Sequence, residues 1–176
     1  MKRIFFVLLI LGVLPGFCFS QQKRAFLLPE VSINKGSGTN SIYPGLSFSV
    51  GARLANSLLH PGFGINGIIV RGESPVLHLI ILVCDDKSEK ITPAFNVKIG
   101  ISTRSHSDGT ATNIIETKGG LYLAGNAGIL FAKPKKGTGR IFVNIGYSQT
   151  DYKITSRLST IKSTAKYLNL SMGIKI

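Results

Sequence analysis

Beyond residue 20 the chain has one cysteine, no long apolar run and few acidic residues, and each shortage removes a class of answer. Cys84 stands alone there, so no internal disulfide can form and the fold must hold without covalent staples. No apolar stretch in that region nears the ~18 residues that a membrane-crossing helix needs, so any insertion into a membrane has to be made with strands. His60, His78 and His106 lie at no metal-like spacing from each other or from a cysteine, which argues against a metal site. Eight Asp and Glu against twenty-one Lys and Arg give a formal charge of +13, or +11 without Lys2 and Arg3. Such a balance can signal nucleic acid, but these basic residues are scattered or sit in apparent turns, as at Lys133, Lys135 and Lys136. Attraction to anionic envelope surfaces is the plainer account, and no nucleic-acid partner is expected.

The first twenty residues read as a cleaved signal peptide. Lys2 and Arg3 precede an almost wholly apolar run from Ile4 to Leu14, about half a membrane span long, followed by Pro15, Gly16 and Ser20. Cys18 raises a lipoprotein reading, which Phe17 counters, because lipoprotein signals place a small residue before the cysteine. Removing twenty of 176 residues leaves 156 in a single domain, 21–176, with Cys84 its only cysteine.

In that domain apolar residues alternate with polar ones, the two-residue period of a strand with unlike faces. Leu168, Leu170, Met172, Ile174 and Ile176 oppose Asn169, Ser171, Gly173 and Lys175. Residues 45–54, 95–102 and 141–148 share the code, and Leu121, Leu123, Ala127, Ile129 and Phe131 fit a fifth segment. Three more strands are expected at 26–35, with Pro29 as a frayed start, at 62–71, and at 76–84, which is apolar on both faces apart from His78. Eight strands of roughly 9–11 residues match an eight-stranded antiparallel up-and-down transmembrane β-barrel, all-β, with apolar residues facing lipid and polar residues facing the lumen. An even count lets the first and last strands pair and leaves no open edge. Long external loops are expected at 103–117 and 151–165, and shorter turns at 55–61, 85–91 and 132–139. The tight link at 72–75 runs against that rule.

The chemistry-bearing strings have plain structural readings. Gly62-Phe-Gly64-Ile-Asn-Gly67 spells a dinucleotide fingerprint, yet no helix pattern follows to receive a pyrophosphate, so the glycines are taken to thin a crowded strand. His106, Ser107 and Asp108 have the residue types of a triad, but three consecutive residues cannot line up nucleophile, base and orienter. His78 points inward by alternation, and barrel lipid A deacylases use a His and Ser pair, though no second feature of their motif is found here. Cys84 precedes Asp85 and Asp86, whose charge disfavours a thiolate, so it is read as inert. Glu30, Arg53, Lys98 and Lys175 fall on the inner face and are expected to form a structural polar cluster, because charges inside a narrow barrel must be paired or hydrated.

The run Tyr43-Pro-Gly-Leu-Ser-Phe, then Gly62-Phe-Gly64-Ile, Ser74-Pro-Val-Leu, Thr92-Pro93-Ala-Phe95, Gly119-Gly-Leu-Tyr122, Gly146-Tyr147 and a close on Gly173-Ile-Lys-Ile176 resembles the small porin-like outer-membrane β-barrel family. The resemblance covers most of residues 26–176, departs in the lack of a C-terminal aromatic residue, and implies location and architecture but no substrate. The expectation is a non-enzymatic barrel of the cell outer membrane with a closed lumen, in a structural or surface-contact role. It has no catalytic, cofactor or metal residues, and as a monomer it meets outer-membrane lipid and the assembly machinery. The alternatives are a small-solute transport or ligand-binding barrel, a lipid-modifying enzyme using His78 or His106, and a soluble lipocalin-type barrel with its apolar face inward.

Overall fold

The computed structural model describes residues 25–37, 41–54, 58–68, 75–85, 90–103, 105–106, 114–132, 139–156 and 159–176. The expected signal peptide, Ser107 and Asp108 lie outside them. The described residues form nine strands: β1 (Ala25–Gly36), β2 (Ile42–Ala52), β3 (Leu59–Ile68), β4 (Val76–Cys84), β5 (Thr92–Ser102), the two-residue β6 (Ser105–His106), β7 (Ile114–Leu130), β8 (Arg140–Ser156) and β9 (Thr160–Lys175). All except β6 pair with both neighbours. The order β5-β4-β3-β2-β1-β9-β8-β7 closes through β5–β7, so eight antiparallel strands make an up-and-down barrel. β6 is an annex paired to β7.

Alternation sets the two faces as expected. On β9, Leu168, Leu170, Met172 and Ile174 are about half exposed, whereas Asn169 and Lys175 are 8% and 3% exposed. On β5, Phe95, Val97, Ile99 and Ile101 point out while Asn96, Lys98 and Ser102 are buried. The lipocalin-type alternative needs the reverse arrangement and is overturned.

Boundaries differ from the sequence expectation at several points, as where β2 and β5 each begin three residues early. β3 lies three residues earlier than the expected 62–71 and takes in Pro61. Pro29 does not fray β1: the strand starts at Ala25, and its ladder to β9 is interrupted at Leu28 and Pro29, between the paired Leu27 and Ile176 backbones and the Glu30–Gly173 pair. The expected loop 103–117 gives up its last residues to β7. The expected loop 151–165 is almost entirely strand, because β8 runs to Ser156 and β9 begins at Thr160. β7, β8 and β9 have 17, 17 and 16 residues, more than the ~9–11 that cross hydrocarbon, so their far halves continue the sheet past the apolar band. A register shift between Gly119 and Tyr122 marks that transition. Its glycines are required by crowding, since a Cβ on Gly119 would collide with the Ser102 carbonyl and one on Gly120 would meet the Asp151 carbonyl oxygen at 2.8 Å.

Candidate functional site

The lumen is the place where these strands gather chemistry, and it is stratified. Toward the end that carries both Ala25 and the β9 terminus, the inward residues are largely apolar: Phe26, Leu28, Ile80, Leu82, Leu130 and Phe142 pack together with Cys84 and Ala94. The expectation that polar residues face the lumen is therefore corrected at this end, in line with the strand 76–84 read as apolar on both faces. Phe142 and Leu82 occupy the same alternation class as polar residues further along their strands, and near the barrel end they serve as a core.

Arg140 seals that floor. Its Nε donates to the Phe131 carbonyl (2.8 Å), Nη1 to the Asp85 carbonyl (3.0 Å), and Nη2 to the carbonyls of Lys90 (2.7 Å) and Leu130 (3.3 Å) and to Thr92 Oγ1 (3.4 Å). One guanidinium thus joins the β4–β5 and β7–β8 connections, which its rigid fork of donors suits. Sequence reasoning missed this residue, which follows Gly139 directly and carries no signal naming the carbonyls it would meet.

Above the apolar layer lies a polar one. Lys98 Nζ donates to Glu30 Oε2 at 2.6 Å and to Ser47 Oγ at 3.1 Å, and the two charged side chains are 6% and 2% exposed. Asn144 Nδ2 donates to Glu30 Oε1 at 3.3 Å and to Ser171 Oγ at 2.5 Å. Residues from β1, β2, β5, β8 and β9 thus meet across the barrel. Asn126 donates to Asn96 Oδ1 at 2.6 Å, adding β7. Of the four charges expected to cluster, only Glu30 and Lys98 come together. Lys175 lies in the apolar layer, with its Nζ 3.2 Å from Cys84 Sγ and 5.8 Å from the centre of the Phe26 ring. Arg53 lies half-buried just past the end of β2. The cluster is split because the four residues sit at different heights along their strands.

His78 does find a serine: its Nε2 is 3.2 Å from Ser49 Oγ, and its ring stands 6.3 Å from that of Tyr122, whose hydroxyl accepts from Asn66 Nδ2 at 2.9 Å. Ser49 is fully buried and His78 is 4% exposed. The pair faces the lumen, on the opposite side of the wall from the exposed apolar band. Glycine makes room for it, since a Cβ on Gly64 would sit 2.5 Å from Ser49 Oγ and 2.9 Å from His78 Nε2. The glycine-rich β3 is thus a thinned wall, as read from the sequence. Cys84 is buried, with its backbone N–H donating to the Leu58 carbonyl. No group of three or more His, Cys, Asp or Glu residues placed to hold a metal occurs among the described residues.

No protein-family model and no curated protein matches the chain. Among solved structures it is similar to the crystal structure of Neisserial surface protein A, with a TM-score of 0.53 and 11% identity over 86% of this chain and 94% of that one. A structure reported as de novo design of transmembrane beta-barrels aligns at a TM-score of 0.46 and 12% identity, over 86% of this chain and 95% of that one. At such identity the likeness to the Neisserial protein is one of fold.

Proposed function

We propose that the chain is a non-enzymatic, integral outer-membrane barrel with a closed lumen, monomeric, exported through a signal peptide cleaved near Ser20. The single observation that carries this reading is the inverted pattern of burial. A continuous outer band of Leu, Ile, Val and Phe encloses a buried Glu30–Lys98 pair and its polar partners, the arrangement of a barrel whose solvent is hydrocarbon. Its partners on this reading are outer-membrane lipid and the assembly machinery. The termini and the connections joined by Arg140 face the periplasm, and the long β7–β9 end faces outward for surface contact. Eight strands leave an interior that side chains can fill, and here an apolar layer and a salt-bridged layer lie in series.

Two measurements test the proposal. The protein should fractionate with the outer membrane and migrate differently on detergent gels before and after boiling. Recovery in the soluble periplasmic fraction with no heat-dependent shift overturns the membrane reading. Liposome swelling should show no solute passage, and steady passage would instead establish the transport reading.

A further inference from the structure

Three lysines stand in direct register across three neighbouring strands. Lys118 on β7 pairs with Lys153 on β8, and Lys153 pairs with Lys162 on β9. Directly opposite residues on one face of an antiparallel pair have Cβ atoms about 5 Å apart, and like charges so placed repel. The three side chains are exposed and lie on the outer face, in the alternation class of Leu168 and Leu170. Lys166 follows four residues nearer the apolar band, opposite Gln149, and Lys35 on β1 lies beside Leu168. The arc thus spans four adjacent strands and begins where Tyr147 and Leu168 end the apolar band. Asp151, the acid in its midst, accepts a hydrogen bond from Thr164 Oγ1 at 2.8 Å. Protecting a sheet edge is a common use of lysine, but β8 is flanked on both sides and has no edge to protect.

We infer that this arc is a binding surface for the phosphate groups of phosphorylated glycolipid of the lipid A type in the surrounding outer leaflet. The inference rests on the outer-membrane reading above and deepens it. A row of cations directly over a hydrocarbon-facing band lies at headgroup depth, where each lysine gains from anionic lipid. Continuity with that band favours a membrane-borne anion over a soluble one. The register explains the repulsive row as well, since an anion bridging neighbouring ammonium groups turns a destabilising contact into a favourable one.

The test uses protein made from the full chain and purified in neutral detergent, with the heat-modifiable band read as a function of temperature. Bis-phosphorylated lipid A, the same glycolipid stripped of phosphate, and a short DNA oligonucleotide are added in separate arms. The wild type should gain thermal stability from the phosphorylated lipid only. The variant Lys153→Gln/Lys162→Gln/Lys166→Gln should be more stable than wild type in neutral detergent, and its apparent affinity for the phosphorylated lipid should fall at least about tenfold. Lys153→Arg, which keeps the charge, should behave as wild type. Equal stabilisation by the phosphate-free lipid, by the oligonucleotide, or of the triple variant overturns the inference while leaving the barrel reading intact. Failure of the wild type to give any heat-modifiable form overturns the barrel reading itself.

Discussion

Replacing Lys98 with Met removes one half of a buried ion pair and strands the other. Glu30 is almost sealed, with its side chain 2% exposed, and Lys98 Nζ at 2.6 Å is the closer of its two donors; Asn144 at 3.3 Å is the second. Breaking a buried pair from one side costs about 3–5 kcal/mol, because the desolvation of the remaining ion is no longer offset. Glu30→Gln should cost a similar amount by leaving the Lys98 ammonium with Ser47 at 3.1 Å. The double variant Glu30→Gln/Lys98→Met removes both charges, so its cost should fall below about 2 kcal/mol, far less than the two single costs together. Urea unfolding of the refolded protein in lipid vesicles, followed by the heat-modifiable band, measures all four corners of the cycle. Single variants within about 0.5 kcal/mol of wild type, or a double variant that simply adds the two, would show that the pair does not organise the interior.

The same assay reaches the other structural devices. Arg140→Ala withdraws five hydrogen bonds from carbonyls and Thr92, and at typical values for charged donors it should cost about 2–4 kcal/mol, while protease should cut faster in the connections at 85–91 and 132–139. Gly100→Ala drives a Cβ into the Leu77 carbonyl and to 2.7 Å from His78 Cα, so a loss of about 1–3 kcal/mol is expected; Gly67→Ala, with open space around the new atom, should change stability little. Leu170→Arg places a charge on the outer band and should cost about 2–4 kcal/mol in a bilayer if its position is central. A neutral result in vesicles for that variant would contradict the lipid-facing assignment.

Five segments were legible in the sequence because their two faces meet different media, and the observed burial of β2, β5, β7, β8 and β9 within the band follows their alternation. β4 carried no such contrast, since Ile80 and Leu82 fill the apolar layer while Leu79 and Ile81 face outward, so both of its sides are oily. The extensions of β8 and β9 were hidden for the opposite reason. Above the band both faces meet water, the alternation fades, and a run such as Thr150-Asp-Tyr-Lys-Ile-Thr reads as a loop until its pairing with Thr160–Ala165 is seen. Alternation also assigned Glu30, Lys98 and Lys175 to the inner face, where they are buried, together with Arg53, which lies half-buried just past the end of β2, but a two-residue period says nothing about height. Which of them meet depends on the stagger between strands, and stagger cannot be read from one strand at a time.

The two luminal layers place different demands on the chain, which explains why both occur. Strands that pass through hydrocarbon spend their outward positions on apolar residues, so no water-facing surface remains within the band to drive collapse around an oily centre. The interior must instead hold eight strands in register by interactions specific to partner and position. Lys98, Glu30 and Asn144 do so across β5, β1 and β8, joining strands that are not sheet neighbours through side chains alone. Such a network is secure only where water cannot compete for its members. Phe26, Leu28, Leu82 and Phe142 shut it off from the floor, and Arg140 in turn fixes the connections beneath them. On the closed-lumen reading proposed above, opening a conducting path would require dismantling the same packing that holds the wall in register.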